Sequence, residues 1–268
     1  MMATFLALLT QILHAALILA AAPLVVGGVR WVKARLLGRR GPHPLQPLRD
    51  LLKLLRKRPV LADGSSVVTR ATPYVALAAT LLAALLVPGF AQGMALAPVA
   101  DLILIAGLLA LARMALALAG HDAGTAFGGL GAAREMTFAA FAEPALLASV
   151  LVLAVLAGSS NLDAIAALFR EGSLGIRVSL LFVLLALMAV ALAENARVPV
   201  DNPATHLELT MVHEAMLLEA SGRHLALWEA QAALKLTVWL ALLAAIFLPF
   251  GAAPVGAGPI AWVVGVVL

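Results

Sequence analysis

The chain has 268 residues, 63% of them hydrophobic and 12% charged, with a mean hydropathy of +1.05 and a formal net charge of +4. Soluble domains carry about a quarter charged residues; half that share, with the apolar residues gathered in blocks of bilayer length, excludes an ordinary water-soluble domain and points to a polytopic helical membrane protein. Cysteine is absent, which excludes a Cys-ligated iron–sulfur or nickel–iron centre, a disulfide and a c-type haem attachment within this chain.

The apolar blocks follow in order. Phe5 to Val29 forms the first span, apolar except for Gln11 and His14; its length and the lack of a basic leader argue against a cleavable signal peptide. The second, Thr72 to Val87, is short and is stopped by Pro88-Gly89. The third runs from Val99 to Ala119 with Arg113 inside it, and the fourth from Phe138 to Ala157 with Glu143-Pro144 near its start. The fifth, Ile176 to Ala193, ends at Glu194, and the sixth, Ala226 to Phe247, ends at Pro249. A seventh opens at Pro259 and reaches Leu268 after ten residues, half of the roughly 20 that a crossing needs, so the carboxyl end reads as cut short. No pair of Gly/Pro-broken helices recurs in two halves, as an inverted-repeat transporter would show. The expected fold is an all-α transmembrane bundle of six to seven spans, with interfacial amphipathic helices, in one integral membrane domain covering 1–268.

Eleven of the 18 lysines and arginines fall between Arg30 and Arg70. The positive-inside rule places this basic loop, residues 30–71, in the cytoplasm. Alternation of spans then puts 120–137 and 194–225 on the same side and 88–98, 158–175 and 248–258 outside. Within the loop, LQPLRDLLKLLRKR repeats Leu48, Leu51, Leu52 and Leu55 at helical spacing, with Arg49, Lys53, Arg56 and Lys57 opposite. Such a helix suits the interfacial plane, either as an anchor to anionic headgroups or as a docking surface for a peripheral partner. The positive charge is thus read as membrane topology, with no nucleic-acid partner.

Charge inside a span costs at least about 2.5–3.5 kcal/mol on insertion scales, so such residues face a cavity or a partner. Arg113, the pair Arg134-Glu135, Glu143, and the pair Glu194 and Arg197 qualify. Glu194 and Arg197 stand at i and i+3, a spacing that allows them to pair on one helix face. Pro199 and Pro203 flank Asp201-Asn202, which forces the chain out of the helix. A second helix is expected from about Ala204 to Gly222, with Leu207, Met211, Ala215 and Leu218 as its apolar stripe and Glu208 and Glu219 sharing a face. His206 and His213 are about 10 Å apart along such a helix, too far to chelate one ion. HEAML has Leu217 where a zinc-protease motif needs histidine. The stretch GTAFGGLGAARE is read as a glycine-rich loop without the lysine of a phosphate cradle.

AENARVPVDNPATHLELTMVHEAMLLEASG resembles the signature segment of the respiratory complex I subunit 1 family, whose pattern E-x-x-R-x-P-x-D-x-P, followed by an acidic run and E-x-S-G, falls on Glu194, Arg197, Pro199, Asp201, Pro203, Glu208, Glu219, Ser221 and Gly222. RRGPHPLQPLRDLLKLL is similar to the family's first cytoplasmic loop, and GAAREMTFAAFAEP, with Arg134 and Glu143 nine apart, to another of its motifs. Within the family, FGGLGAAREM and the signature segment look like the membrane subunits of group 4 nickel–iron hydrogenases. The resemblance implies a membrane subunit that docks a hydrophilic hydrogenase or dehydrogenase arm on the cytoplasmic face, adjoins antiporter-like membrane subunits, and couples electron transfer to proton movement. It implies proton-coupling roles for Glu143, Glu194, Asp201, Glu208, Glu214 and Glu219, charge-setting roles for Arg113, Arg134 and Arg197, and docking roles for Gln46, Arg49, Lys53, Arg56 and Lys57. The nickel–iron centre and iron–sulfur clusters are expected in partner subunits, with no cofactor bound by this chain. Quinone stays open as a ligand, although Ala204 and His206 replace acidic residues of quinone-using members. Two alternatives stand beside this reading: a quinone-reducing complex I subunit and a membrane anchor without a proton role.

Topology reporters fused at Gly64, Gly124 and Ser221 should all score cytoplasmic; one outward score breaks the span count.

Overall fold

The computed structural model describes residues 2–62, 64–170, 178–201, 211–248 and 253–257. They form a helical bundle: α1 (Met2–Leu36), α2 (Gln46–Leu55), α3 (Val67–Leu86), α4 (Leu102–Asp122), α5 (Ala126–Ala157), α6 (Leu162–Arg170), α7 (Val178–Glu194), α8 (His213–Leu217) and α9 (Gly222–Phe247). Five of these helices, α1, α3, α4, α5 and α9, are long and apolar enough to cross a membrane; α7 is apolar and has 17 described residues. All six expected complete spans therefore coincide with helices, and the segment from Pro259 lies outside the described residues.

Three boundaries differ from the sequence expectation. α1 continues to Leu36, so Arg30, Lys33 and Arg35 sit on its last turns and not in a loop. α5 starts at Ala126, so the glycine-rich stretch is helix. Glycine is frequent in membrane helices, and here Gly128 and Gly131 are buried on the packed face of α5. The helix expected from Ala204 to Gly222 is α8 alone among its described residues; it ends at Leu217, and Gly222 opens α9.

Helix ends follow from local chemistry. The Ser66 hydroxyl accepts from the Val68 amide to cap α3, Asp101 accepts from the Ile103 and Leu104 amides to cap α4, and Thr125 accepts from Gly128 to cap α5. The carbonyl end of α3 finds its partners on α1: Gln11 Nε2 donates to Leu85 O at 3.0 Å, and His14 Nε2 lies 3.1 Å from Ala84 O. That explains the two polar residues of the first span. At the same end of the bundle Gly93 N donates to Asp163, Arg170 donates to Gln92, and a two-residue strand β1 (Ala91–Gln92) pairs in parallel with β2 (Ala253–Pro254).

The opposite, basic end is stitched differently. Asp122, closing α4, accepts from the amides and hydroxyls of Ser66 and Thr69 at the start of α3. Ser221, just before α9, accepts from Val60 N at 2.8 Å and donates to Val60 O at 2.9 Å. α2 packs on α1 and α9. Its approach is glycine-dependent at both ends: a Cβ on Gly27 would stand 1.9 Å from Pro44 O, and one on Gly222, which has φ +53°, would stand 2.4 Å from Arg58 O. The apolar core runs between these two ends around Ile105, Leu109, Leu153, Leu187, Trp239 and Ile246, while Phe141, Leu151, Val155, Leu181, Phe182 and Leu185 face outward.

Gly27→Ala should lower stability by about 1–3 kcal/mol, the usual cost of overpacking. Gly28→Ala, whose Cβ meets nothing within 4 Å, should be neutral or slightly stabilising. Thermal unfolding of both variants in the same detergent checks the contrast.

Candidate functional site

Three apolar helices bring charge together at one point. Arg113 on α4 is 5% exposed, and its guanidinium forks: Nη1 donates to Oε1 of Glu194, the last residue of α7, and Nη2 donates to Oε1 of Glu143 on α5. These are the ion pairs among the described residues. Glu194 is buried, and its Oε2 has no hydrogen-bond partner. The Glu143 side chain keeps 46% of its surface exposed. A fork of this kind is the geometry in which arginine stays charged away from water while holding two carboxylates at fixed positions.

The expected pairing of Glu194 with Arg197 is not what forms. α7 ends at Glu194, Ala196 takes φ +48°, and Arg197 turns to the exposed surface. Nor does Arg134 meet Glu143; it donates to the Met211 carbonyl at 3.3 Å and so ties α5 to the start of the α8 segment. Arg113 takes both carboxylates: α5 packs on α4 and on α7, and the guanidinium reaches one carboxylate on each of α5 and α7.

A second layer lies beside the fork. Glu135 on α5 and Lys235 on α9 are 6% and 3% exposed, and Glu135 feels the charges of Lys235, Glu194, Arg113 and Asp201. One turn before Lys235, Gln231 donates to Thr80 on α3 at 3.0 Å. Asp201 is buried; its Oδ2 accepts from the His213 amide at 3.0 Å, and its Oδ1 has no partner. Burial, reinforced by the positive charges of Lys235 and Arg197, holds the His213 imidazole well below the ordinary histidine pKa, so the ring is neutral at physiological pH.

A cavity of about 680 Å³ opens next to this layer, between α1, α2, the 195–201 segment, α8 and α9. Arg30, Asp50, Arg197, Asp201, His213, Glu214 and Lys235 contribute its polar lining, and Val26, Leu51, Leu54 and Trp228 contribute to its apolar walls. Asp201 and Lys235 thus belong both to the cavity wall and to the buried charges. Glu219 is exposed on the same end of the bundle, and Glu208 lies outside the described residues. Gln46 bonds to Asp50 at 2.9 Å, while Arg49 and Lys53 on α2 and Arg56 and Lys57 just after it are exposed.

Lys235 and Gln231 escaped the sequence reading, and Glu135 was noted there only as the neighbour of Arg134. The signal for Lys235 was present: a lone lysine inside an expected span is the same anomaly that singled out Arg113. Nothing comparable marked Gln231, because an uncharged amide in a span is common.

Comparison with known proteins gives a consistent set of similarities. The family model for NADH dehydrogenase matches residues 8–268. Hydrogenase-4 component C of Escherichia coli (strain K12) is 37% identical over 243 residues, covering 90% of this chain and 75% of that protein. Formate hydrogenlyase subunit 4 of the same strain is 35% identical, covering 91% and 78%. An NADH-quinone oxidoreductase subunit of Rickettsia canadensis (strain McKiel) is 27% identical over 69% of this chain and 58% of its own length. In fold, the chain superposes on a chain of the membrane-bound sulfane sulfur reductase, an archaeal respiratory membrane complex, with a TM-score of 0.74 at 24% identity, over 89% of this chain and 79% of that one.

Arg113→Met should cost about 3–5 kcal/mol, because it strands Glu194 as an unpaired buried charge. Adding Glu194→Gln should recover a large part of that loss. Denaturant unfolding of the single and combined variants checks the coupling, and strictly additive losses would show that the fork is not energetically joined.

Proposed function

From the premise that the chain belongs to the NADH dehydrogenase family, as a multi-pass membrane subunit of the complex I and group 4 hydrogenase type of respiratory complex, we propose that it docks the peripheral redox arm of such a complex and couples electron transfer there to proton movement. The hydrogenase branch is favoured by the two relatives at 35% and 37% identity. The nickel–iron and iron–sulfur chemistry then resides in partner subunits, since this chain has no cysteine to hold it.

The observation that carries the coupling reading is the Arg113 fork. Three fully buried carboxyls, Glu135, Glu194 and Asp201, surround two buried cations, Arg113 and Lys235. With every carboxyl ionised, such an array keeps an uncompensated negative charge in a low-dielectric region, a condition relieved by taking up a proton. A change of charge in the docked arm, next to the cavity, alters where that proton is best held. The cavity connects the proposed docking side to the array through Asp201 and Lys235. Glu143 then leads outward: a half-exposed carboxylate one turn from the exposed Leu147 calls for a neighbouring membrane subunit to cover it, in keeping with an antiporter-like partner. In this reading Glu214 and Glu219 stand at the arm-facing surface, and Arg197 sets charge at the cavity wall instead of on Glu194.

Quinone reduction is the second reading, and the cavity is what favours it. Asp201 Oδ1 is an unused acceptor in the lining of a space of about 680 Å³, within the range of small-molecule sites. Asp201 and the neutral His213 are the residues that would hold a quinone head group, which supplies two-electron, two-proton redox chemistry when bound.

Glu194→Gln and Glu143→Gln keep size and hydrogen-bonding shape but cannot ionise. In the assembled complex, each should leave dye-to-dye electron transfer in the arm within about twofold, while proton translocation falls by at least about tenfold, in line with the loss of a proton-transferring group. Full translocation in both variants would remove the coupling role and favour a plain anchor. Retained translocation combined with saturable binding of a quinone analogue would favour the second reading.

A further inference from the structure

α2 presents three faces, and only one of them is used inside the protein. Pro47 is buried and Leu51 and Leu54 are half-buried where the helix packs on α1 and α9. Leu45, Leu48, Leu52 and Leu55, spaced three, four and three apart, form a separate stripe that is 37–50% exposed. Arg49 and Lys53 occupy the third face, next to the leucines around the helix, and Arg56 and Lys57 follow directly after its last turn. Helical spacing alone groups Leu51 with Leu48, Leu52 and Leu55; the structure divides the leucines between an inner and an outer face.

The depth of α2 is set at both ends. Before it, the Pro44 carbonyl sits against Gly27, three residues short of Arg30, where the uncharged run of α1 stops. After it, Arg58 sits against Gly222, the first residue of α9, and Val60 is held by Ser221. The exit of one transmembrane helix and the entry of another stand at the same membrane surface, so a helix tethered to both lies in the plane of that surface. Its outer leucines then face the boundary with the acyl chains, and its basic face stands at headgroup height.

We propose that α2 is a binding element for anionic phospholipid, with Leu45, Leu48, Leu52 and Leu55 in the acyl boundary and Arg49, Lys53, Arg56 and Lys57 on the headgroup phosphates. Charge selects the anionic class. The one acid of the helix, Asp50, faces the cavity and is bonded to Gln46, so it does not neutralise the basic face. Each lysine or arginine near an anionic surface raises binding several-fold. The leucine stripe favours a bilayer over a soluble arm, because four adjacent aliphatic side chains at this depth meet lipid before they meet a water-soluble surface.

The absence of cysteine allows a direct test on this chain. Spin labels at Leu52→Cys and Lys53→Cys are read in nanodiscs of phosphatidylcholine with and without phosphatidylglycerol. The Leu52 label should be more accessible to oxygen than to a water-soluble nickel chelate, and the Lys53 label the reverse. The variant with Arg49, Lys53, Arg56 and Lys57 all changed to Gln should lose at least tenfold in apparent affinity for phosphatidylglycerol added to the detergent-purified chain, with phosphatidylcholine binding unchanged. A Leu52 label that sees the nickel chelate as freely as the Lys53 label overturns the placement, and wild-type affinity in the Gln variant overturns the lipid selectivity. Should that variant keep its lipid binding but release a peripheral subunit at lower salt, the basic face belongs to a protein partner and the proposal fails.

Discussion

A guanidinium inside a membrane helix bundle is tolerable only where carboxylates meet it directly, because desolvation removes the water that would otherwise carry its charge. Arg113 satisfies that condition by donating to one carboxylate on α7 and one on α5. The fork therefore does more than neutralise charge. It fixes how α4, α5 and α7 stand relative to one another, since a shift of any of the three breaks a bond that has no aqueous substitute. The two carboxylates are also made unequal: Glu194 is sealed, while Glu143 keeps a face open to whatever adjoins α5.

The basic end of the bundle repeats the same economy of polar groups. Asp122 serves four donors of the α3 start, and one serine hydroxyl serves both backbone groups of Val60. The signature residues gain spatial meaning from this arrangement. Glu194 points into the bundle, whereas Arg197 and Asp201, three and seven positions later, line the cavity, so one short segment reports to two compartments.

Much of the fold was legible because hydropathy and length act on the same scale as the bilayer: each expected complete span contains a helix. What misled the reading was residue type taken without context. Glycines in GTAFGGLG signal a turn in water, but Gly128 and Gly131 lie on the buried face of a membrane helix that packs closely on its neighbours. Glu194 and Arg197 have helical spacing, yet the helix ends before the second of them, and only tertiary packing reveals that Arg113, 81 residues earlier, is the partner. Lys235 could have been found by the rule that marked Arg113. Gln231 could not, since its bond to Thr80 joins residues 151 apart and leaves no trace in local pattern.

The double bond between Ser221 and Val60 has a consequence for the order in which the protein is made. A ribosome delivers Val60 long before Ser221, with 161 positions between them. Through that interval the amide and carbonyl of Val60 are met by water, and the cavity beside α2 lacks the wall that α9 supplies. The chamber is thus a late product of synthesis, closed by the residue just before the last described transmembrane helix.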